Sequence, residues 1–411
     1  MIIPGISGRI AASASRTETP SLAAAADESK PASQAPLLQT AGFACAAQNG
    51  WVLADDGIYC AASGNLDWFQ VELADIQLKR DPAHALLRAY RQYGSDLLAK
   101  LGGRFAVCVW DATQRTGILA HDRFGQMSLY WTETDDHELL FAPTATAVTR
   151  LAGTAATLSP QAILHYFYFQ MIPSPGTIFR DVNKLMAGHA LIAKDGRWRL
   201  QRYWRPDFRE HADAPMSEAA EEMLGLLSSS VGRLSGGADC GAFLSGGLDS
   251  STVAGLLARH TKHPKTYSIG FDAEGYDEIA YAKIASERFA TEFNTYYVTP
   301  DDVLRELPRI AAAYDEPFGN SSALPAYFCA RLAAEDGRER LLAGDGGDEL
   351  FADGDVPAAM EAYAAAGLRR LQQPSEHLDV EEIALHAGGG HDALQISIQA
   401  HDPLFDHRFN S

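Results

Sequence analysis

Seven consecutive residues, Ser245-Gly246-Gly247-Leu248-Asp249-Ser250-Ser251, bring together three hydroxyls, two glycines and a carboxylate. They follow an apolar run, Cys240 to Leu244, suited to a buried strand, and precede Val253, Leu256 and Leu257 at helical spacing. The motif is therefore read at a strand-to-helix junction. There the first helical amides lack intrahelical partners and carry the positive end of the helix dipole, which favours an anion. Gly246 and Gly247 let phosphate oxygens approach the backbone, and the hydroxyls of Ser245, Ser250 and Ser251 can donate hydrogen bonds. Asp249 repels phosphate, so its role is read as a ligand for a hard cation such as Mg²⁺. The Gly-Lys-Ser/Thr ending of the Walker loop is absent, which points away from γ-phosphate cleavage and toward splitting ATP into AMP and pyrophosphate. A serine-capped Gly-Gly turn with no ligand is the simpler alternative.

A second cluster bears on that choice. Arg340 to Ala343 reads as another short strand, and Gly344-Asp345-Gly346-Gly347-Asp348-Glu349-Leu350-Phe351 follows it. Acids interleaved with glycines at the C-terminal end of a strand lie where open α/β sheets place their ligands. A solvated turn, with Asp348 and Glu349 in the first turn of a helix, is the bland reading.

Through these two loops the sequence resembles the asparagine synthetase B family. Further matches are Thr266 to Phe271, Tyr276-Asp277-Glu278, Asp315-Glu316-Pro317-Phe318 and Ser322-Ala323-Leu324-Pro325. In the N-terminal half, Phe105 to Asp111, Asp122-Arg123-Phe124-Gly125 and Leu129-Tyr130 look like the family's glutaminase-type domain. The resemblance covers residues 50 to 351. It implies an α/β chain with an N-terminal αββα, Ntn-hydrolase-like domain over 1–205. A doubly wound parallel-sheet, pyrophosphate-loop synthetase domain would occupy 206–411.

The resemblance also implies roles. Ser245 to Ser251 would hold pyrophosphate, Leu244 and Ile269 would flank adenine, and Ala343 and Gly344 would lie against the nucleotide. Asp249 and Asp348 would bind Mg²⁺ from opposite loops, and Asp345 and Glu349 would orient the substrate or a metal-bound water. ATP and Mg²⁺ are the expected cofactors and a small-molecule or peptide carboxylate the expected partner; a homodimer is left open.

Departures from the family qualify this. Glutamine-hydrolysing members begin Met-Cys-Gly-Ile-Ala-Gly and use the N-terminal cysteine as nucleophile; the corresponding stretch here reads Pro4-Gly5-Ile6-Ser7-Gly8. The glutamine-binding Asn-Gly-Glu-Ile-Tyr-Asn aligns with Asp55-Asp56-Gly57-Ile58-Tyr59-Cys60, and Leu-Asp-Gly-Asp-Phe with Leu101-Gly102-Gly103-Arg104-Phe105. The expectation is a first domain without glutaminase activity, serving as a structural half. After the acidic loop the chain continues with Ala352 rather than Gly-Gly-Tyr, its last lysine is Lys283, and Arg369 and Arg370 fall on an expected surface helix, Pro357 to Gln372. A shortened C-terminal segment lacking the family's adenylation lysine is expected. An amide ligase using ammonia, a ring-closing relative of β-lactam synthetases and lasso-peptide cyclases, and a nucleotide- or partner-binding pseudoenzyme all remain open.

The elements that position these residues follow from pattern. Residues 11 to 38, rich in Ala, Ser and Pro, read as a mobile linker. Short alternating runs between Phe43 and Ala193 read as antiparallel strands, and the polar stretch after Pro206 marks the exit. From a helix near Ser217 onward, strands and helices alternate as in a parallel sheet. The net charge of −19 over 411 residues argues against a nucleic-acid surface. The five cysteines, Cys45, Cys60, Cys108, Cys240 and Cys329, lack metal-ligand spacing and sit in apolar runs, so buried thiols are expected. No apolar run of membrane-spanning length or signal-peptide core occurs, and a cytoplasmic location is expected.

Overall fold

The computed structural model describes residues 5–11, 37–40, 42–153, 155–206, 215–236, 239–272, 277–347 and 397–399. The chain divides into two units, Met1–Pro206 with Asp315–Phe318, and Asp207–Tyr314 with Gly319–Ser411.

The first unit is built on two six-stranded sheets. Its strands are β1 (Gly5–Ile10), β2 (Leu37–Thr40), β3 (Phe43–Gln48), β4 (Gly50–Asp55), β5 (Ile58–Trp68), β6 (Leu101–Asp111), β7 (Thr116–His121), β8 (Tyr130–Glu133), β9 (Leu139–Ala142), β10 (Asn183–Lys184), β11 (His189–Lys194) and β12 (Arg197–Arg202). One sheet runs β10-β8-β9-β1-β3-β2 and the other β12-β11-β7-β6-β5-β4, with antiparallel neighbours throughout. Strand β6 shows why they stack: Ala106, Cys108 and Trp110 face the other sheet, while Phe105, Val107 and Val109 face helices. Apolar residues at both phases of a period-2 strand require cover on both faces.

That outer cover is α1 (Val71–Lys79) and α2 (Pro82–Tyr93), which contribute Leu73, Leu86 and Leu87 to the same cluster. Asp81 caps α2 by accepting the His84 amide at 2.9 Å, and Pro82 occupies the first helical turn. On the opposite side α3 (Ala145–Ala152) covers β8 and β9 through Ala145, Ala147 and Val148. The order helix, sheet, sheet, helix is the αββα arrangement the resemblance implies. A further helix, α4 (Pro160–Phe169), buries Ala162 and leaves Leu164, Phe167 and Tyr168 exposed. Leu37 and Leu38, read from composition as linker, instead pair with Ala46 and Cys45 in β2. Backbone pairing outweighs low-complexity composition at this boundary.

The second unit alternates α5 (Met216–Ser235), β13 (Cys240–Phe243), α6 (Leu248–His260), β14 (Lys265–Phe271), α7 (Ile279–Phe289), β15 (Glu292–Val298), α8 (Pro300–Ala313), α9 (Ala323–Glu335) and β16 (Arg340–Leu342), with β17 (Ser397–Gln399) later in the chain. The sheet order is β15-β14-β13-β16-β17, the first four strands parallel and β17 antiparallel to β16. Val231 of α5, Leu256 and Leu257 of α6 and Ala282 of α7 pack on one face. Ile310 of α8 and Tyr327, Phe328 and Ala330 of α9 pack on the other. The sheet is thus doubly wound. From β13 the chain winds outward through β14 and β15, then returns to place β16 on the other flank of β13. The strand order reverses between β13 and β16, and in open α/β sheets ligands bind at the C-terminal ends of the strands at such a reversal.

Candidate nucleotide site

Both loops singled out from the sequence leave the sheet at that reversal. After β13, Gly247 caps α6 and Ser251 makes the first helical bond, its amide to the Gly247 carbonyl at 3.1 Å. The amides of Leu248, Asp249 and Ser250 therefore precede the helical ladder, as an anion-binding helix start requires. Gly246 has φ +91°, and a Cβ there would lie 2.5 Å from the Ala282 nitrogen and 2.6 Å from the Tyr281 carbonyl carbon. The first turn of α7 presses on the loop, so only glycine fits.

The serines serve the loop first. The Ser245 and Ser250 hydroxyls lie 2.9 Å apart, the Ser245 amide donates to Ser250 Oγ at 3.2 Å, and the Gly247 amide donates to Ser245 Oγ at 3.3 Å. These hydroxyls tie the turn together rather than standing ready for a ligand. Leu244 is fully buried, its amide donating to the Tyr267 carbonyl at 3.0 Å and its carbonyl accepting from the Ser268 hydroxyl. Its side chain lies among α5, α6 and α7, whereas Ile269 packs toward α8 and α9. The two side chains expected to flank one ring thus lie in different core clusters, because successive strand positions alternate faces. Leu248 is 84% exposed at the head of α6.

The acidic loop lies against the same turn. A Cβ on Gly344 would sit 2.8 Å from Asp249 Cβ and 2.9 Å from the Ser250 nitrogen. One on Gly347 would sit 2.5 to 2.7 Å from the Asp249 carboxyl atoms. The Gly347 amide closes the turn onto the Gly344 carbonyl at 3.3 Å, Gly346 has φ +90°, and Asp345 is exposed at the tip. Ala343 is buried behind them. Ser245 to Ser251, Ala343, Gly344 and Asp345 are thus brought together. Asp348 and Glu349 lie outside the described residues, as do Tyr276, Arg369 and Arg370.

The first unit corrects one expectation. Asp55-Asp56-Gly57-Ile58 forms the tight turn between β4 and β5, with Asp56 and Gly57 at positive φ and Asp55 paired to Arg91 at 2.9 Å. In the register of β5 and β6, Ile58 faces Asp111, whereas Leu101 faces Trp68. The two stretches aligned with glutamine-binding motifs therefore lie at opposite ends of one strand pair, roughly 30 Å apart at about 3.3 Å per residue. Opposite Gly102 and Gly103 stand Asp67 and Leu66, next to Asn65 and Gly64. Gly64, at φ +95°, is the signal the sequence offered: a glycine inside an apolar strand run marks a close backbone approach.

At the head of β6, side chains from neighbouring segments pack against the strand. A Cβ on Gly102 would meet the Phe69 ring at 2.9 Å; the Arg123 guanidinium lies over that ring at 5.0 Å and over Trp204 at 5.6 Å. Asp122 accepts the amides of Phe124, Gln126 and Met127 at 3.2, 3.0 and 2.9 Å, so Asp122-Arg123-Phe124-Gly125 is a side-chain-locked turn. Pro4 lies outside the described residues.

All five cysteines are buried. Burial pushes the thiols of Cys60, Cys108 and Cys329 well up, and that of Cys240 up to about 11. None of these four is a thiolate nucleophile at neutral pH. Among the described residues, no group of three or more His, Cys, Asp and Glu side chains forms a metal cluster, and no helix is long and apolar enough to cross a membrane.

Comparison with known proteins agrees with both units. The asparagine synthase family model matches residues 222–389, and that of the glutamine amidotransferase domain matches 75–204. A Methanocaldococcus jannaschii protein named as an asparagine synthetase (glutamine-hydrolyzing) is 32% identical over 70% of this chain and 56% of its own. Asparagine synthetase (glutamine-hydrolyzing) 1 of Bacillus subtilis is 30% identical over 70% of this chain and 46% of its own. Amidase chyE of Penicillium rubens is 26% identical over 74% of this chain and 48% of its own. The chain spans about half the length of the curated relatives it matches. With matches in both halves and both loops in place, the chain belongs to the asparagine synthetase family.

Proposed function

We propose that the chain is an ATP-dependent, AMP- and pyrophosphate-forming amide ligase acting on a small-molecule or peptide carboxylate, without glutamine hydrolysis. The observation that carries the reading is the seating of Gly344 and Gly347 on Asp249, which joins the serine-glycine loop and the acidic loop at the reversal of the sheet.

In this reading the amides at the start of α6 bind the β- and γ-phosphates of ATP. A carboxylate oxygen of the substrate attacks the α-phosphorus, pyrophosphate leaves, and an acyl-adenylate forms; ammonia or an amine then attacks the acyl carbon, AMP departs, and the amine proton is lost. Asp249 offers oxygen to a hard cation, with Asp348 as its expected second ligand. A bound Mg²⁺ would neutralise charge on the departing pyrophosphate. Asp345 and Glu349 would orient the substrate, and Gly344 and Ala343 would leave room for the nucleotide. The buried side chain of Leu244 limits it to a backbone role at the nucleotide.

The absence of glutaminase activity is supported by proline in the nucleophile's place and by Phe69 seated over Gly102. The same features favour, as a second reading, an amine carried by the substrate itself, as in ring-closing relatives. A cytoplasmic location is part of the proposal.

The test is ATP–pyrophosphate exchange with Mg²⁺ across aspartate, small amino-acid derivatives and carboxylate peptides. Exchange with one of them, lost in Asp249→Ala, supports adenylation. Nucleotide binding with no exchange for any acid sinks it in favour of a binding role.

A further inference from the structure

Four residues distant in sequence complete the first unit. Asp315–Phe318 belongs to it, although the chain on either side, through Tyr314 and from Gly319, belongs to the second unit. Glu316 is buried, with one carboxylate oxygen 2.6 Å from Lys184 Nζ and accepting the Tyr130 hydroxyl at 3.0 Å. Its other oxygen accepts the Ile178 amide at 3.1 Å. Lys184 is itself 12% exposed at its side chain and also reaches the Ile172 carbonyl at 3.5 Å. Beside it, the Asp315 carboxylate accepts the Ala145 amide at 2.5 Å and the Thr146 amide at 3.4 Å, at the start of α3.

These contacts tie together β8 through Tyr130, β10 through Lys184, the loop at Ile178 and the N-terminus of α3. The carboxylates supply acceptors that the surrounding chain needs. Removing one partner of a buried pair leaves an uncompensated charge, which is far costlier than replacing both by neutral groups. A chain ending at Pro206 would leave Lys184 and Tyr130 buried without the Glu316 carboxylate.

We propose that Asp315–Phe318 is an internal pin without which the first unit does not reach its native fold, so that Met1–Pro206 is not self-sufficient and its folding waits until the chain has been made through Phe318. The pin acts on stability and leaves the chemistry of either unit unassigned.

The experiment is hydrogen exchange on the full chain, comparing the wild type with Glu316→Ala, Glu316→Gln and the double variant Lys184→Met/Glu316→Gln. In Glu316→Ala, exchange is expected to rise about tenfold or more in peptides spanning Tyr130–Glu133, Ala145–Ala152 and Ile178–Lys184, with the interior of α6 unchanged. The double variant, which removes both charges, is expected to recover most of that protection. If Glu316→Ala is too unstable to purify while the double variant folds, the pin is likewise upheld. Unchanged exchange in those peptides overturns it, as does loss spread evenly over both units or a double variant no better than Glu316→Ala. Because no readout depends on glutamate release or ATP, failure here leaves the proposed activity standing, and the reverse also holds.

Discussion

Gly347 and Asp249, far apart in the chain, meet so closely that a Cβ on the glycine would fall 2.5 Å from the Asp249 carboxyl carbon. The acidic loop therefore dictates where that carboxylate can sit. Gly347→Ala is expected to displace the Asp249 side chain and lower ATP–pyrophosphate exchange by about tenfold or more, an effect near 1.4 kcal/mol. Calorimetry should show a thermal midpoint close to that of the wild type, since the site lies outside the core clusters. Gly225→Ala is the contrasting case: nothing lies within 4 Å of that added Cβ, in the middle of α5. It should gain about 0.5–1 kcal/mol in urea unfolding and leave exchange untouched.

If Asp249 and Asp348 hold Mg²⁺ from opposite loops, Asp348→Asn weakens nucleotide binding in the presence of Mg²⁺ and hardly changes it in EDTA. Titration calorimetry with a non-hydrolysable ATP analogue measures the difference. Equal weakening in both buffers removes Asp348 from the metal site.

Stability of the second unit should fall with acid. Hydrogen bonds from the Thr299 hydroxyl and amide, then from Arg305, hold the Asp302 carboxyl well below the usual carboxylate range. Burial alone pushes Glu306 up, but hydrogen bonds from the Tyr327 hydroxyl and Arg305, with the charges of Arg309 and Arg331, outweigh it and leave the group lowered. A carboxyl whose folded pKa lies below its unfolded value stabilises above the unfolded value, about 4, and loses that contribution as pH falls toward the folded one. Urea unfolding at pH 7 and pH 3 should show the loss, and Glu306→Gln should flatten the dependence. An unchanged slope would show that these carboxylates are not what acid attacks.

Reinstating an acid at the head of β6 should not create a glutaminase. Gly102→Asp drives its Cβ against the Phe69 ring, which must swing away from the Arg123 guanidinium. The lost stacking costs about 0.5–1 kcal/mol. A small drop in thermal stability and no release of glutamate from glutamine are the expected results. Thiol-dependent glutamate release from the wild-type chain would refute the reading of the first unit.

Much of the architecture was legible in advance. The serine-glycine turn was placed correctly between β13 and α6 because an apolar strand, a glycine pair and helical spacing are local signals. The run from Arg104 to Asp111 was likewise legible as a strand, while the cover on both its faces came from the second sheet and the helices that pack on it. What misled was alignment without register: Asp55 to Ile58 matched a glutamine-binding pattern by composition, yet it forms a hairpin turn at the far end of β5 from Gly102. Strand register depends on which partner is chosen, and no residue in the turn encodes that.

Sequence alone determined the residue types at the nucleotide loop, its place at a strand-to-helix junction and the family resemblance, because each is carried by neighbours a few positions apart. The tertiary structure decided which distant groups meet: Gly344 and Gly347 on Asp249, Tyr281 and Ala282 on Gly246, Phe69 on Gly102, and Glu316 between Lys184 and Tyr130. Such contacts depend on strand order and on how closely backbones pack, and those are set by the burial of whole faces rather than by any short stretch of chain.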